Sequence, residues 1–209
     1  MTDYIITDIY ETKAGIHCVF AHTDNVENDE EKITLLFRIS EFYDAHVTKG
    51  DVISDERFEE LYEASCVAVA VAKAEKMLST GDYSKSRLIS RLTHYDIQKC
   101  HAEHAADIMV ERGYINEDEQ TKRIARYFCL KKHWGKKRIA AELMARGYNR
   151  QSIYASLDYV TPEEYSFAIN RIVSQRFPTP AEDQKELERR IAALSRMGFS
   201  LSEIKEALK

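Results

Sequence analysis

Three neighbouring residues have the side chains of a metal site. Cys100, His101 and His104 lie within five positions, and a thiolate with two imidazoles is a donor set that suits zinc. A structural zinc site takes four ligands, however, and no second ligand pair lies at a suitable spacing in the sequence. We therefore expect residues 100–104 to form ordinary helix surface and the chain to bind no metal.

Motifs for the common enzyme chemistries are missing from the sequence. It contains neither Gly-x-Gly-x-x-Gly nor Gly-x-x-x-x-Gly-Lys-Ser/Thr, the loops whose backbone cradles phosphate. It also lacks the Gly-x-Ser-x-Gly elbow and the His-Glu-x-x-His helix. Carboxylates are numerous, but they occur in runs such as Glu117–Glu119, where a helix start favours negative charge. We therefore expect no catalytic residues, no cofactor and no enzymatic activity.

The cysteines indicate a reducing compartment. They are widely spaced, without a Cys-x-x-Cys pair, at Cys18, Cys66, Cys100 and Cys129. Residues 1–8 lack the basic and apolar regions of a signal peptide, and the sequence has no apolar run of the ~18 residues that cross a bilayer. We expect four reduced thiols, most of them buried, in a cytoplasmic protein that does not bind membranes.

Positive charge is concentrated in residues 131–138. This segment contains five basic side chains and the only tryptophan of the chain. Further cations nearby in the sequence are Lys85, Arg87, Arg91, Lys122, Arg123, Arg126, Arg146 and Arg150. Such residues could form a face that meets phosphates or an acidic protein. They could equally be solvated helix surface, with Arg138 and Glu142 as an i,i+4 ion pair, and the sequence leaves both interpretations open.

The formal net charge of −5 hides an uneven distribution along the 209 residues. Residues 1–60 carry 15 acidic and 5 basic side chains, whereas residues 61–160 carry 17 basic and 12 acidic ones. Residues 161–209 carry eight of each. The acidic total alone would argue against nucleic acid or anionic surfaces as partners, but the basic middle removes that argument.

The elements that hold these residues begin with a small antiparallel β-rich unit over residues 1–55. Strands are predicted at Tyr4–Tyr10, Gly15–Phe20 and Ile33–Ile39. These segments are rich in β-branched and aromatic residues, and turn residues separate them. A polar loop at 24–32 leads to the third strand, and a short helical or turn segment at 40–49 follows it. Beyond residue 55 the pattern changes to helix.

An internal repeat organises the helical part. Leu92, Leu143 and Leu194 are separated by 51 residues each, and arginines precede them on the same period at Arg87, Arg138 and Arg189. Four positions after each leucine comes a residue suited to left-handed backbone, followed by a large apolar one: Asp96-Ile97, Gly147-Tyr148 and Gly198-Phe199. This pattern predicts a helix that ends in a Schellman-type cap in each repeat.

The repeat predicts a mainly α fold of three tandem three-helix modules after the β-rich unit. The first helices are expected at Phe58–Leu78, Glu119–His133 and Pro162–Phe177. The module boundaries are therefore predicted at 56–113, 114–161 and 162–209. Because each module would stack only on its neighbours, we expect an elongated array, and we expect it to be a monomer.

Three segments resemble the RecX family, the regulators of bacterial RecA recombinase. They are Ser84–Leu92, Arg112–Glu119 and the basic helix Gly135–Gly147, and the likeness covers about residues 57–209. The sequence departs from the family pattern at Asp96, where glycine is usual, at Asn116, where aspartate is expected, and at Pro178–Pro180. These departures bear on the exact register of the third module more than on the resemblance to the family.

The resemblance implies a cytoplasmic regulator that acts in DNA repair, homologous recombination and the SOS response. Its partner would be the RecA–single-stranded DNA filament, in whose groove it would lie while suppressing extension, ATPase, strand exchange and coprotease activity. The contact residues expected from the resemblance and the charge pattern are Arg87, Lys136, Lys137, Arg138, Arg146 and Arg150. The alternative is a protein that binds nucleic acid directly, without a recombinase partner.

Overall fold

The predicted class, a mainly helical protein with an N-terminal antiparallel sheet, is confirmed in the computed structural model. The structure describes residues 3–209, except the side chain of Asp29. Over that range the chain forms ten α-helices and a four-stranded sheet. It divides into two compact units, one of Met1–Gly81 with Leu88–Tyr114 and the other of Asp82–Arg87 with Ile115–Lys209. None of the helices in the described range is long and apolar enough to cross a membrane.

The sheet of the first unit has the strand order β3-β2-β1-β4, and every neighbouring pair is antiparallel. Its strands are β1 (Tyr4–Thr12), β2 (Gly15–His22), β3 (Ile33–Phe37) and β4 (Val52–Ile53). Strand β3 ends two residues earlier than predicted because Ile39 already begins helix α1 (Ile39–Ala45). Strand β4 was not predicted, since two residues are too few to show an alternating pattern.

Helix α2 (Asp55–Leu78) covers one face of this sheet. Phe58 and Leu61 pack into a core with sheet residues such as Phe20 and Phe37, which are fully buried or nearly so. On α2, the side chain of Ser65 also accepts a hydrogen bond of 3.0 Å from the backbone N–H of Leu36 on β3. The predicted β-rich unit therefore does not fold as a free sheet but is completed by a long helix.

Helices α3 (Lys85–Thr93) and α4 (Lys99–Glu111) follow α2. Helix α4 packs along α2, with the ion pairs His101–Glu63 at 2.6 Å and Arg112–Glu75 at 3.1 Å. Because both pairs advance together along the two helices, α2 and α4 run parallel. Small buried residues, among them Ala70, Ala74 and Ala105, allow the two backbones to lie close together.

The second unit is built around one apolar core that runs from Ala125 to Ile204. Its helices are α5 (Glu117–Lys132), α6 (Lys136–Ala145), α7 (Arg150–Tyr159), α8 (Pro162–Arg176), α9 (Gln184–Arg196) and α10 (Leu201–Ala207). Helix α8 begins as predicted, with Thr161 as the N-cap, Pro162 in the first turn and Glu164 completing a capping box. The module boundaries and the elongated shape stay predictions.

The repeated helix end has the predicted geometry in all three copies. The backbone φ is 60° at Asp96, 78° at Gly147 and 94° at Gly198. The next residue then donates its N–H to the carbonyl of the repeat leucine, at 3.4 Å for Ile97, 3.2 Å for Tyr148 and 3.4 Å for Phe199. This is the Schellman motif, and the three leucines that accept these bonds are completely buried.

A close contact between two glycines joins α6 to α9. Gly135, the N-cap of α6, donates its N–H to the carbonyl of Met197 at 2.8 Å, and Lys137 donates to the carbonyl of Gly198 at 3.1 Å. A Cβ on Gly135 would lie 2.5 Å from the Gly198 carbonyl carbon and oxygen. The free N–H groups at the start of α6 are therefore satisfied by the free carbonyls at the end of α9.

The start of α3 meets the end of α6 in a related way. The Ser84 hydroxyl donates to the carbonyl of Arg146 at 2.8 Å and accepts from the N–H of Arg87 at 3.2 Å. Gly147 thus faces the start of α3, and Gly198 faces the start of α6. Asp96 occupies the same repeat position in the first predicted module, where no earlier middle helix exists, and it is exposed. This explains why a side chain is tolerated at Asp96.

We predict that Gly135→Ala destabilises the second unit by about 2–3 kcal/mol, because the added methyl group must displace backbone atoms. Gly147→Ala should cost only about 1–2 kcal/mol, since it introduces left-handed strain but meets the movable Ser84 hydroxyl. Urea unfolding followed by Trp134 fluorescence measures both. Equal stabilities for Gly135→Ala and the unmodified protein would contradict the close backbone contact between Gly135 and Gly198, which we call the glycine joint.

Candidate partner-binding surface

Three of the predicted contact residues, Lys136, Lys137 and Arg138, form the first turn of α6. Cations are unfavourable at a helix N-terminus, where the helix dipole is positive. The carbonyl end of α9 lies against this turn, however, and it supplies negative charge at the same place. The glycine joint therefore makes the basic first turn of α6 electrostatically acceptable.

The side chain of Arg138 makes its contacts within the molecule. Its guanidinium lies 4.1 Å from the centre of the Trp134 ring and donates a hydrogen bond of 3.1 Å to the sulfur of Met197. Trp134 in turn stacks on Phe128, with 4.5 Å between the ring centres. The i,i+4 ion pair Arg138–Glu142 considered from the sequence is wrong, because Glu142 pairs with Arg146 at 2.9 Å. A glutamate four residues before an arginine is the more favourable orientation on a helix.

Two further predicted residues also have partners within the molecule. Arg146, besides its ion pair with Glu142, lies 5.1 Å from the centre of the Phe128 ring. Lys136 lies 3.7 Å from a carboxylate oxygen of Asp158 and 5.3 Å from the centre of the Tyr165 ring. Both cations are partly or largely exposed, so these contacts orient the side chains without removing them from solvent.

The remaining predicted residues are Arg87, Lys137 and Arg150, which we call the free cations. All three side chains are exposed, and within the described residues none of their charged groups forms an ion pair. The structure brings Arg87 and Arg146 to one cleft, together with Tyr148. It does not gather the six residues into one cluster, because Lys136 and Arg150 lie near opposite ends of α6.

A groove along α5 contains residues that the sequence did not single out. We call it the α5 groove, and it is lined by Glu119, Lys122, Arg123, Arg126, Tyr127, Leu130, Lys131 and Tyr159. Its cations were recognised as part of the basic middle, but the two tyrosines were not. Tyr159 comes from the end of α7, 32 residues after Tyr127, so only the folded chain places it in the groove.

Most cations of the α5 groove are paired internally. Lys122 forms an ion pair with Glu119 at 2.9 Å, Arg126 pairs with Glu164 at 2.8 Å, and Arg123 pairs with Asp82. Hydrogen bonding to Glu119 raises the pKa of the Lys122 ammonium, and hydrogen bonding to Glu164 raises the pKa of Arg126. The groove is therefore much less basic than its lysines and arginines suggest.

The segment 100–104 lies on helix α4, but it is only in part the helix surface that was predicted: Cys100, Glu103 and His104 are exposed, whereas His101 and Ala102 are buried. His101 is buried and lies 2.6 Å from a carboxylate oxygen of Glu63. Among residues 3–209, leaving Asp29 aside, no group of three or more His, Cys, Asp or Glu side chains could hold a metal ion. All four cysteines are free thiols.

The fold and this surface define the class: a mainly helical protein that carries repeated helix caps, a basic second unit and an antiparallel sheet at its N-terminus. No family model matches the chain. Two curated relatives do, both named Regulatory protein RecX. The one from Chromohalobacter salexigens is 26% identical over 135 residues, or 65% of this chain and 88% of the relative. The one from Clostridioides difficile is 24% identical over 206 residues, or 98% of this chain and 94% of the relative.

Solved structures agree with the fold. A crystal structure of regulatory protein RecX superposes with a TM-score of 0.78 at 16% identity and covers 98% of both chains. The crystal structure of RecX from Lactobacillus salivarius gives a TM-score of 0.62 at 16% identity, covering 69% of this chain and 95% of that one. The predicted resemblance to the RecX family is confirmed: both curated relatives that match are named Regulatory protein RecX.

We predict that the four thiols differ sharply in reactivity. Burial raises the pKa of Cys18 to about 11 and that of Cys129 to about 12, so both stay protonated and unreactive at mildly alkaline pH. Cys100 is exposed and should react quickly with an aromatic disulfide reagent, with Cys66 slower. Stoichiometric thiol titration with and without denaturant checks this. Rapid modification of all four in the native protein would contradict the described burial.

Proposed function

We propose that this protein regulates RecA in the cytoplasm, as a monomer that binds in the groove of the RecA–DNA filament. There it suppresses filament extension, ATPase, strand exchange and coprotease activity, without being an enzyme itself. Similarity to two relatives named Regulatory protein RecX supports the regulatory role. The observation in the structure that carries the contact is the set of free cations, Arg87, Lys137 and Arg150, which are exposed and unpaired among the described residues.

The six predicted contact residues take two roles in this proposal. The free cations contact acidic filament surface or the phosphates of the bound strand directly. Lys136, Arg138 and Arg146 already have partners in the molecule, and they position the surface around the free cations. A charged group without an internal partner interacts with an approaching opposite charge without first breaking an existing pair.

The first test is RecA ATPase activity on single-stranded DNA, with this protein added at substoichiometric amounts and with RecA from the same cell. We expect inhibition, and its absence at several-fold excess would exclude the proposed function. The double variant Lys137→Glu/Arg150→Glu should raise the concentration needed for half-inhibition about tenfold or more, because two attractive contacts become repulsive.

A matched control accompanies this variant. Arg189→Glu also reverses an exposed charge of the second unit, at the position equivalent to Arg138 in the third repeat. It should inhibit like the unmodified protein. Equal inhibition by the Lys137→Glu/Arg150→Glu variant and by the control would show that the contact with the filament lies outside the free cations.

The free cations also favour a second candidate, direct binding of nucleic acid without RecA. If all three contact phosphates, the logarithm of the single-strand binding constant should fall with the logarithm of salt concentration with a slope of about −2. A salt titration of binding to single-stranded and duplex DNA, without RecA, measures this slope. Weak binding that does not change with salt excludes this candidate.

A further inference from the structure

We propose that the α5 groove docks a protein segment of the partner, one that places an apolar side chain between Tyr127 and Tyr159. This inference rests on the proposed function, since it assigns the segment to RecA rather than to the DNA strand. It concerns a surface separate from the free cations, and a different experiment tests it.

The two tyrosines give the groove its binding capacity. The two residues are 50% and 51% exposed, and the partly buried Leu130 also lines the groove. Tyrosine and arginine are the side chains enriched where protein interfaces concentrate their binding energy. Burying such rings makes the free energy of binding more favourable at a small entropic cost, because each side chain has few rotatable bonds.

The charge of the groove favours a protein over a nucleic-acid strand. Lys122, Arg123 and Arg126 are each paired with a carboxylate of this chain. A DNA strand brings one phosphate per nucleotide and would have to compete with these carboxylates for each cation. Single-strand binding sites combine aromatic platforms with a track of available positive charge, and here the internal pairs occupy most of that track.

The ion pairs instead suit a segment of low or mixed charge. The carboxylates of Glu119, Asp82 and Glu164 balance the three cations, so a segment without net charge can approach them without breaking an ion pair. Lys122 also lies 5.8 Å from the centre of the Tyr159 ring. A peptide with an apolar side chain for the tyrosines and backbone amides for the flanking charges satisfies both features.

The test uses the double variant Tyr127→Ser/Tyr159→Ser of the full chain. The control is Tyr154→Ser, which removes a tyrosine that is 58% exposed on α7 but does not line the groove. Affinity is measured for RecA filaments on single-stranded DNA and for the same DNA without RecA, each at low and high salt. We expect the double variant to bind filaments at least tenfold more weakly at both salt concentrations and bare DNA unchanged, with the control like the unmodified protein.

Other outcomes separate the inference from the proposed function. If the unmodified protein does not bind filaments at all, both the proposed function and the docking site are excluded. If it binds and the double variant binds equally well, only the docking site is overturned. Equal loss of bare-DNA binding would show that the groove holds a nucleic-acid strand. The single variant Tyr159→Ser, at the end of a helix, repeats the measurement should the double variant unfold, as judged by Trp134 fluorescence.

Discussion

The second unit depends on the contact between the start of α6 and the end of α9. Two glycines allow the backbones to approach so closely that the N–H groups of Gly135 and Lys137 reach the carbonyls of Met197 and Gly198. This hydrogen bonding satisfies the free groups of two helix ends at once. It also fixes the distance between the helices, because any Cβ on Gly135 would overlap backbone atoms that cannot turn away.

The same contact organises the charge of the surface. The first turn of α6 carries three consecutive cations, and the carbonyl end of α9 compensates them. Arg138 bends back over Trp134 to the sulfur of Met197 in this joint, whereas Lys137 has no such partner and stays exposed. One helix start therefore supplies both a structural arginine and a lysine that is available for a partner. A related division separates the internally paired cations of the α5 groove from the free cations.

Local regularities made much of the fold predictable. The 51-residue spacing of the leucines and the left-handed positions after them identified the helix ends correctly, because a Schellman cap needs only residues close in sequence. The buried arginine Arg190 could not be recognised in this way. Its guanidinium donates to the carbonyls of Thr179 and Pro180 and lies over Phe177, which pins the proline-containing connection before α9. These partners depend on how the connection folds back, and no spacing rule encodes that.

The sequence by itself determined the helical class, the repeat with its caps, the basic middle and the resemblance to RecX proteins, since each depends on residue types and short spacings. The tertiary structure alone decided which charges are available. Arg138 and Arg146 look like Lys137 and Arg150 in the sequence, yet Arg138 reaches the sulfur of Met197 and Arg146 reaches the ring of Phe128, both distant along the chain. Tyr127 and Tyr159 likewise share a groove only after α5 and α7 have packed together. Ion pairing and exposure depend on distances between side chains, and folding brings together residues that the chain keeps far apart.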